Sequence, residues 1–181
     1  MEAGSLGAPP GDQRALDHLF SVTYEELRRL AASVRRSDAA ATLSPTTLVN
    51  EAWLKLRKSR GLDGLSQLHF KRIAARAMRQ VLIEAARRRH AHKRGGAGLA
   101  LVTFDDALDA PGAADDLLGL DAALEELARL HPRQAMMVES RFFGGLDVTE
   151  TAQLLGVSEA TILRDWRAAK AWLARELRRA S

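Results

Sequence analysis

The sequence contains no cysteine. That excludes disulfides, a thiolate nucleophile and any metal site built on Cys ligands. Aromatic residues make up only 5% of the chain, and runs of β-branched residues alternating with period two are absent. The pattern argues against a sheet and suits small helical domains filled by Leu, Ala and Val. No stretch approaches the roughly 20 apolar residues of a membrane span. The first dozen residues carry Glu2 and Asp12 and lack the apolar core of a signal peptide, so the expected location is the cytoplasm, with no membrane partner. The five histidines (His18, His69, His90, His92, His131) form no HExxH pair, and His90 and His92 stand in a basic run that repels cations. No metal, cofactor or catalytic residue is therefore expected. The acids at 105–116 fall in a segment expected to be a linker and have no basic catalysts beside them, so no nuclease site is expected.

What the chain does have is alanine, leucine, arginine and glutamate, all good helix formers, and the expected fold class is all-α. Charge divides it. Residues 12–94 carry 18 Lys/Arg against 8 Asp/Glu, a net of +10; residues 95–120 carry 0 against 5, a net of −5; residues 121–181 carry 9 against 9. A basic block, an acidic bridge and a neutral block read as two small domains and a linker. The expected boundaries are a disordered Gly/Pro/Ala-rich segment over 1–11, a first domain over 12–94, a flexible acidic linker over 95–119 and a second domain over 120–181. A block at +10 favours a polyanionic partner, because phosphate contacts release condensed counterions.

Apolar spacing predicts the helices. Leu16, Leu19, Phe20, Leu27 and Leu30 mark a first one over about 13–36. Ser44-Pro45-Thr46-Thr47 is a start signal, serine capping and proline fitting the first turn; that second helix ends near Gly61. A third runs from about Ser66 to Lys93, with Leu68, Ile73, Ala77, Val81 and Ala85 as core positions. In the second domain Leu120, Leu124, Leu127 and Leu130 form a stripe that Pro132 breaks. The next helix ends at Gly144-Gly145, and Asp147 with Glu150 resembles a capping box.

The strongest local pattern is VTETAQLLGVSEATILRDWR, Val148 to Arg167. A helix-turn-helix needs a small residue where its helices touch, a turn residue tolerant of positive φ, and apolar residues seating the second helix. Ala152, Gly156, and Leu155, Val157, Ile162 and Trp166 answer those needs at the required spacing. The second helix of such a motif enters the major groove N-terminus first. Its candidates for contact are Ser158, Glu159, Thr161, Arg164 and Arg167, with Arg164 able to reach guanine through its bidentate fork. A second candidate surface is the basic stretch HFKRIAARAMRQVLIEAARRRHAHKR over 69–94. Arg72, Arg76 and Arg79 share one helix face there, and Arg87, Arg88 and Arg89 follow. Like charges so close destabilise a helix unless a counter-charge arrives. Glu84 is the only acid in the stretch, so a nucleic-acid backbone is the natural partner.

LSPTTLVNEAWLKLRK (43–58), AARAMRQVLIEAARRR (74–89) and the segment 124–173, with its PRQ…RFFGGL…ETA..LG.S.AT…DW combination, together resemble the extracytoplasmic-function (ECF) RNA polymerase sigma factors of the sigma-70 superfamily. The resemblance covers about residues 13–178. It implies a two-domain promoter-binding subunit of RNA polymerase and not an enzyme. By position, Leu48, Asn50, Glu51, Trp53 and Leu54 would face the polymerase clamp helices. Arg72, Arg76, Arg79, Gln80, Arg87 and Arg88 would approach −10 DNA, and Ser158, Glu159, Thr161, Arg164 and Arg167 would approach −35 DNA. Implied partners are core polymerase, at its clamp and flap, and promoter DNA; the family also allows an anti-sigma factor. The chain departs from the family at Thr47, where many members carry an acid, and at Leu163, where a basic residue is common; its −10 segment has little aromatic material beyond Phe70. The competing reading is an autonomous helix-turn-helix regulator that binds DNA without polymerase.

Overall fold

A computed structural model describes residues 10–36, 43–59, 62, 64–92 and 114–180. Among them are seven helices and no strand: α1 (Pro10–Arg36), α2 (Pro45–Arg57), α3 (Gln67–His92), α4 (Ala114–Leu130), α5 (Pro132–Phe142), α6 (Val148–Leu155) and α7 (Glu159–Ala180). The all-α class expected from composition is the class observed.

The local signals act where the sequence places them. Ser44 caps α2 by accepting from the Thr47 amide at 3.0 Å, with Pro45 in the first turn. Ser66 accepts from the His69 amide at the start of α3. Pro132 opens α5 directly behind the end of α4. Asp147 and Glu150 complete the capping box: the Asp147 carboxylate accepts from the Glu150 amide at 2.7 Å, and the Glu150 carboxylate accepts from the Asp147 amide at 3.1 Å.

Two helix starts differ from expectation. Helix α1 begins at Pro10, so the last two residues of the expected disordered segment are helical; residues 1–9 lie outside the described residues. Helix α4 begins at Ala114, so residues 114–119 of the expected linker are helical, while 93–113 lie outside the described residues. The reason for the second is visible. Leu117 extends the Leu120–Leu124–Leu127 stripe by one turn and packs on the core, and at Gly119 a Leu177 methyl comes within 3.4 Å of where a Cβ would sit.

Helices α1, α2 and α3 pack on one another, as do α4, α5, α6 and α7, and α3 touches α4, α5 and α6. One continuous apolar cluster runs through both groups: Leu48, Val49 and Phe70 in the first, Leu124, Leu127, Val138, Ile162 and Leu173 in the second. Burial of each such side chain contributes about 1.5–3 kcal/mol relative to exposure. Phe20 stacks on Trp53 at 4.3 Å between ring centroids, fixing α1 to α2, and Lys55 donates to Glu84 at 2.7 Å, fixing α2 to α3.

Candidate nucleic-acid interface

Helix α6, a tight turn and helix α7 build the first surface. Gly156 holds φ +64° and ψ 36°, the left-handed conformation that stops α6 and redirects the chain. Ala152 is buried where the two helices meet, and Ile162 is buried on the inward side of α7. Ser158 caps α7 by accepting from the Thr161 amide at 3.2 Å. The Thr149 hydroxyl donates to the Glu159 carboxylate at 2.7 Å, a second tie between the paired helices. From behind, Arg133 of α5 donates to the buried Asp165 at 2.8 Å, and the Arg141 guanidinium lies 4.4 Å from the Trp166 ring centroid. Burial pushes Arg141 below its ordinary pKa, against the pull of Asp147. It nevertheless stays charged, because a guanidinium titrates far above neutrality.

The outer face of α7 is thereby fixed. Ala160, Leu163, Arg164, Arg167, Ala168 and Ala171 are exposed at i, i+3, i+4, i+7, i+8 and i+11, one face of a helix. Arg164 and Arg167 belong to it. Of the other expected contacts, Ser158 and Glu159 are exposed at its N-terminal end, while Thr161 is half-buried and engaged with Ser158. Leu163 stands out in the sequence only as a departure from the family pattern; 48% exposed on this face, it is a further candidate for contact.

Helix α3 builds the second surface, and the structure divides its cations. Arg76, Gln80, Arg87 and Arg88 are exposed and Arg72 is half-buried. Arg79 is drawn inward. It donates to the Asp121 carboxylate at 2.9 Å and to the Asp121 carbonyl at 3.1 Å, and lies 3.8 Å from Glu139. Arg87 reaches the other Asp121 oxygen at 3.4 Å. The counter-charge missing from the α3 sequence comes from α4 and α5. Lys71, nearly fully buried, donates to Glu26 at 2.7 Å and Glu150 at 2.8 Å. Burial pushes the Lys71 ammonium down, but the hydrogen bonds and charges of Glu150 and Glu26 more than offset this and hold its pKa above the ordinary lysine value. Burial raises the Glu139 carboxyl, helped by Asp121 and opposed by Arg79, Arg76 and Arg72. Phe70 is fully buried and offers no ring for stacking on bases.

The α2 segment is split as well. Leu48 is 2% exposed and belongs to the core, so its side chain cannot meet a partner while the chain is folded; the reason is its place beside Val49 and Ala52 on the inward face. Trp53 is half-buried against Phe20, whereas Asn50, Glu51 and Leu54 face outward. No group of three or more His, Cys, Asp or Glu suited to a metal ion occurs among the described residues, and none of their helices is long and apolar enough to cross a membrane.

The family model described as ECF sigma factor matches residues 8–179. No curated protein and no solved structure matches the chain.

Proposed function

The chain belongs to the ECF sigma factor family, and from that premise we propose that it binds core RNA polymerase through the outward face of α2 and recognises promoter DNA with two surfaces. The α6–α7 pair reads duplex −35 DNA, and the basic face of α3 holds −10 DNA as the strands part. The observation that carries this reading is the outer face of α7: a left-handed Gly156 turn and a Ser158 cap present Leu163, Arg164 and Arg167 on one side of a helix whose other side is locked to α5. Arg164 supplies a bidentate donor for guanine, and Leu163 an apolar contact for a thymine methyl. The exposed α3 cations bind phosphates without regard to sequence. Asn50, Glu51 and Leu54 supply a mixed polar and apolar patch for the polymerase clamp.

The family is not an enzyme family, and the role proposed for this chain is non-catalytic: it makes and breaks no bond and works by positioning. Mobility-shift titrations of promoter fragments with the chain alone, core polymerase alone and both together test the reading. Sequence-specific retention only when both are present supports it. Tight, sequence-specific retention by the chain alone supports an autonomous regulator and removes the sigma reading.

A further inference from the structure

We infer that Glu159 selects a cytosine in the −35 duplex and that Thr149 positions it, which rests on the assignment of the α6–α7 pair to that duplex. Glu159 opens α7 and is exposed. The N-terminal residues of such a helix are the ones that meet base edges. The other acids over 132–180 are all engaged by amides or cations. Asp147 and Glu150 form the capping box, and Glu150 also holds Lys71. Asp165 holds Arg133, Glu176 holds Arg175 and Arg179, and Glu139 lies near Arg79. Glu159 alone of this set bonds neither an amide nor a cation among the described residues. Its partner is the Thr149 hydroxyl on α6, which donates to Oε1 at 2.7 Å.

That hold differs in kind from an ion pair. A neutral hydroxyl fixes the carboxylate in place and leaves its full negative charge. The dipole of α7 favours an acid in the first turn, but a dipole does not call for a tether to the neighbouring helix, and Ser158 already caps α7. On a DNA-facing surface such a charge repels phosphates, so it favours a complex only where it meets a donor. The major groove offers two, cytosine N4 and adenine N6. Adenine sets its N7 acceptor beside that donor, where a carboxylate is repelled. Cytosine has only a C–H there. Guanine and thymine present acceptors and are repelled outright. Cytosine is the base that fits. With Oε1 tied to Thr149, the second oxygen is aimed before DNA arrives, which removes part of the ordering cost that a free glutamate meets on binding.

The test uses holoenzyme assembled from core polymerase and the full chain. It is mixed with a pool of promoter-length duplexes randomised through the upstream element, and the bound duplexes are sequenced. One position of the wild-type element should be cytosine, preferred on the order of tenfold over the other bases, the scale of a good base contact. Glu159→Gln should move that position to adenine, because glutamine accepts from N6 and donates to N7. Thr149→Val removes the hydroxyl and should weaken the cytosine preference severalfold, and Thr149→Ser should restore it. In the Glu159→Ala background, where the position should carry no preference, Thr149→Val should change nothing. Both side chains are exposed, so helix content and urea midpoints should stay at wild-type values. An upstream element whose every position keeps its preference in Glu159→Gln overturns the inference and leaves the −35 assignment standing. A loss in Thr149→Val that Thr149→Ser does not restore, or that recurs without the Glu159 carboxylate, overturns the role given to Thr149. A wild-type pool that enriches no upstream element removes the −35 assignment and the inference with it.

Discussion

An alanine at Gly145 would meet two penalties, and a second glycine allows them to be separated. Gly145 and Gly156 both hold φ +64°. At Gly156 an added Cβ meets nothing within 4 Å; at Gly145 it overlaps the Leu30 side chain, with one methyl at 2.8 Å and Cγ at 3.0 Å. The left-handed backbone costs an alanine about 1–2 kcal/mol at either site. Only Gly145→Ala adds crowding. Because Cγ as well as both methyls is too close, Leu30 must shift as a whole and give up its seat against the loop, which costs about 1–3 kcal/mol more. Urea denaturation followed by circular dichroism should place Gly156→Ala about 1–2 kcal/mol below wild type and Gly145→Ala about 2–5 kcal/mol below it. Shortening Leu30 by Leu30→Ala in the Gly145→Ala background should recover part of the difference. Equal losses at the two glycines, with no effect of Leu30→Ala, would refute the argument that this loop packs against α1.

Three further outcomes follow from the interfaces. Arg164→Ala, at an exposed α7 position, should weaken binding to a −35 duplex by about 1–3 kcal/mol at one base pair in fluorescence anisotropy while leaving core polymerase binding unchanged; loss of core binding contradicts its role. Leu163→Ala should cost about 1 kcal/mol, the transfer value of roughly one buried methylene, and deoxyuridine in place of the contacted thymidine should weaken wild type but not the variant. Glu139 has a raised folded-state pKa, so the folded chain holds that proton more tightly than the unfolded chain. Its contribution is therefore most favourable below about pH 4.3, the ordinary glutamate value, and is lost as pH rises toward the folded-state value. The stability of wild type relative to Glu139→Gln should fall across that window in pH-dependent denaturation, and a rise contradicts the burial of the carboxyl.

The helices and their caps were legible because they depend on near neighbours. Ser44, Pro45, Pro132, Asp147 and Gly156 act within a turn or two of where they stand, and the Ala152–Gly156–Ile162 spacing encodes its own geometry. The α7 face was legible for the same reason, since exposure on a helix packed from behind follows its periodicity. The partners of α3 were not. Arg79 and Asp121 are far apart in sequence, as are Lys71 and Glu150, and nothing local marks which arginine of a basic stretch turns inward. The outward appearance of Leu48 fails in the same way: only the packing of α2 places it in the core while Asn50 and Glu51 stay outside. The start of α4 was missed because acidic and glycine residues before Leu120 read as linker, although Leu117 continues the stripe.

The most direct measurement of the central claim is transcription itself. Core polymerase and fragments of its own genome are incubated with and without the chain, and the 5′ ends of the transcripts are mapped. New start sites should appear only with the chain, sharing two upstream elements at a fixed spacing, and Arg164→Ala should deplete the upstream element from the set. An unchanged set of start sites when the chain is added, from core that a known initiation subunit does activate, would contradict the account.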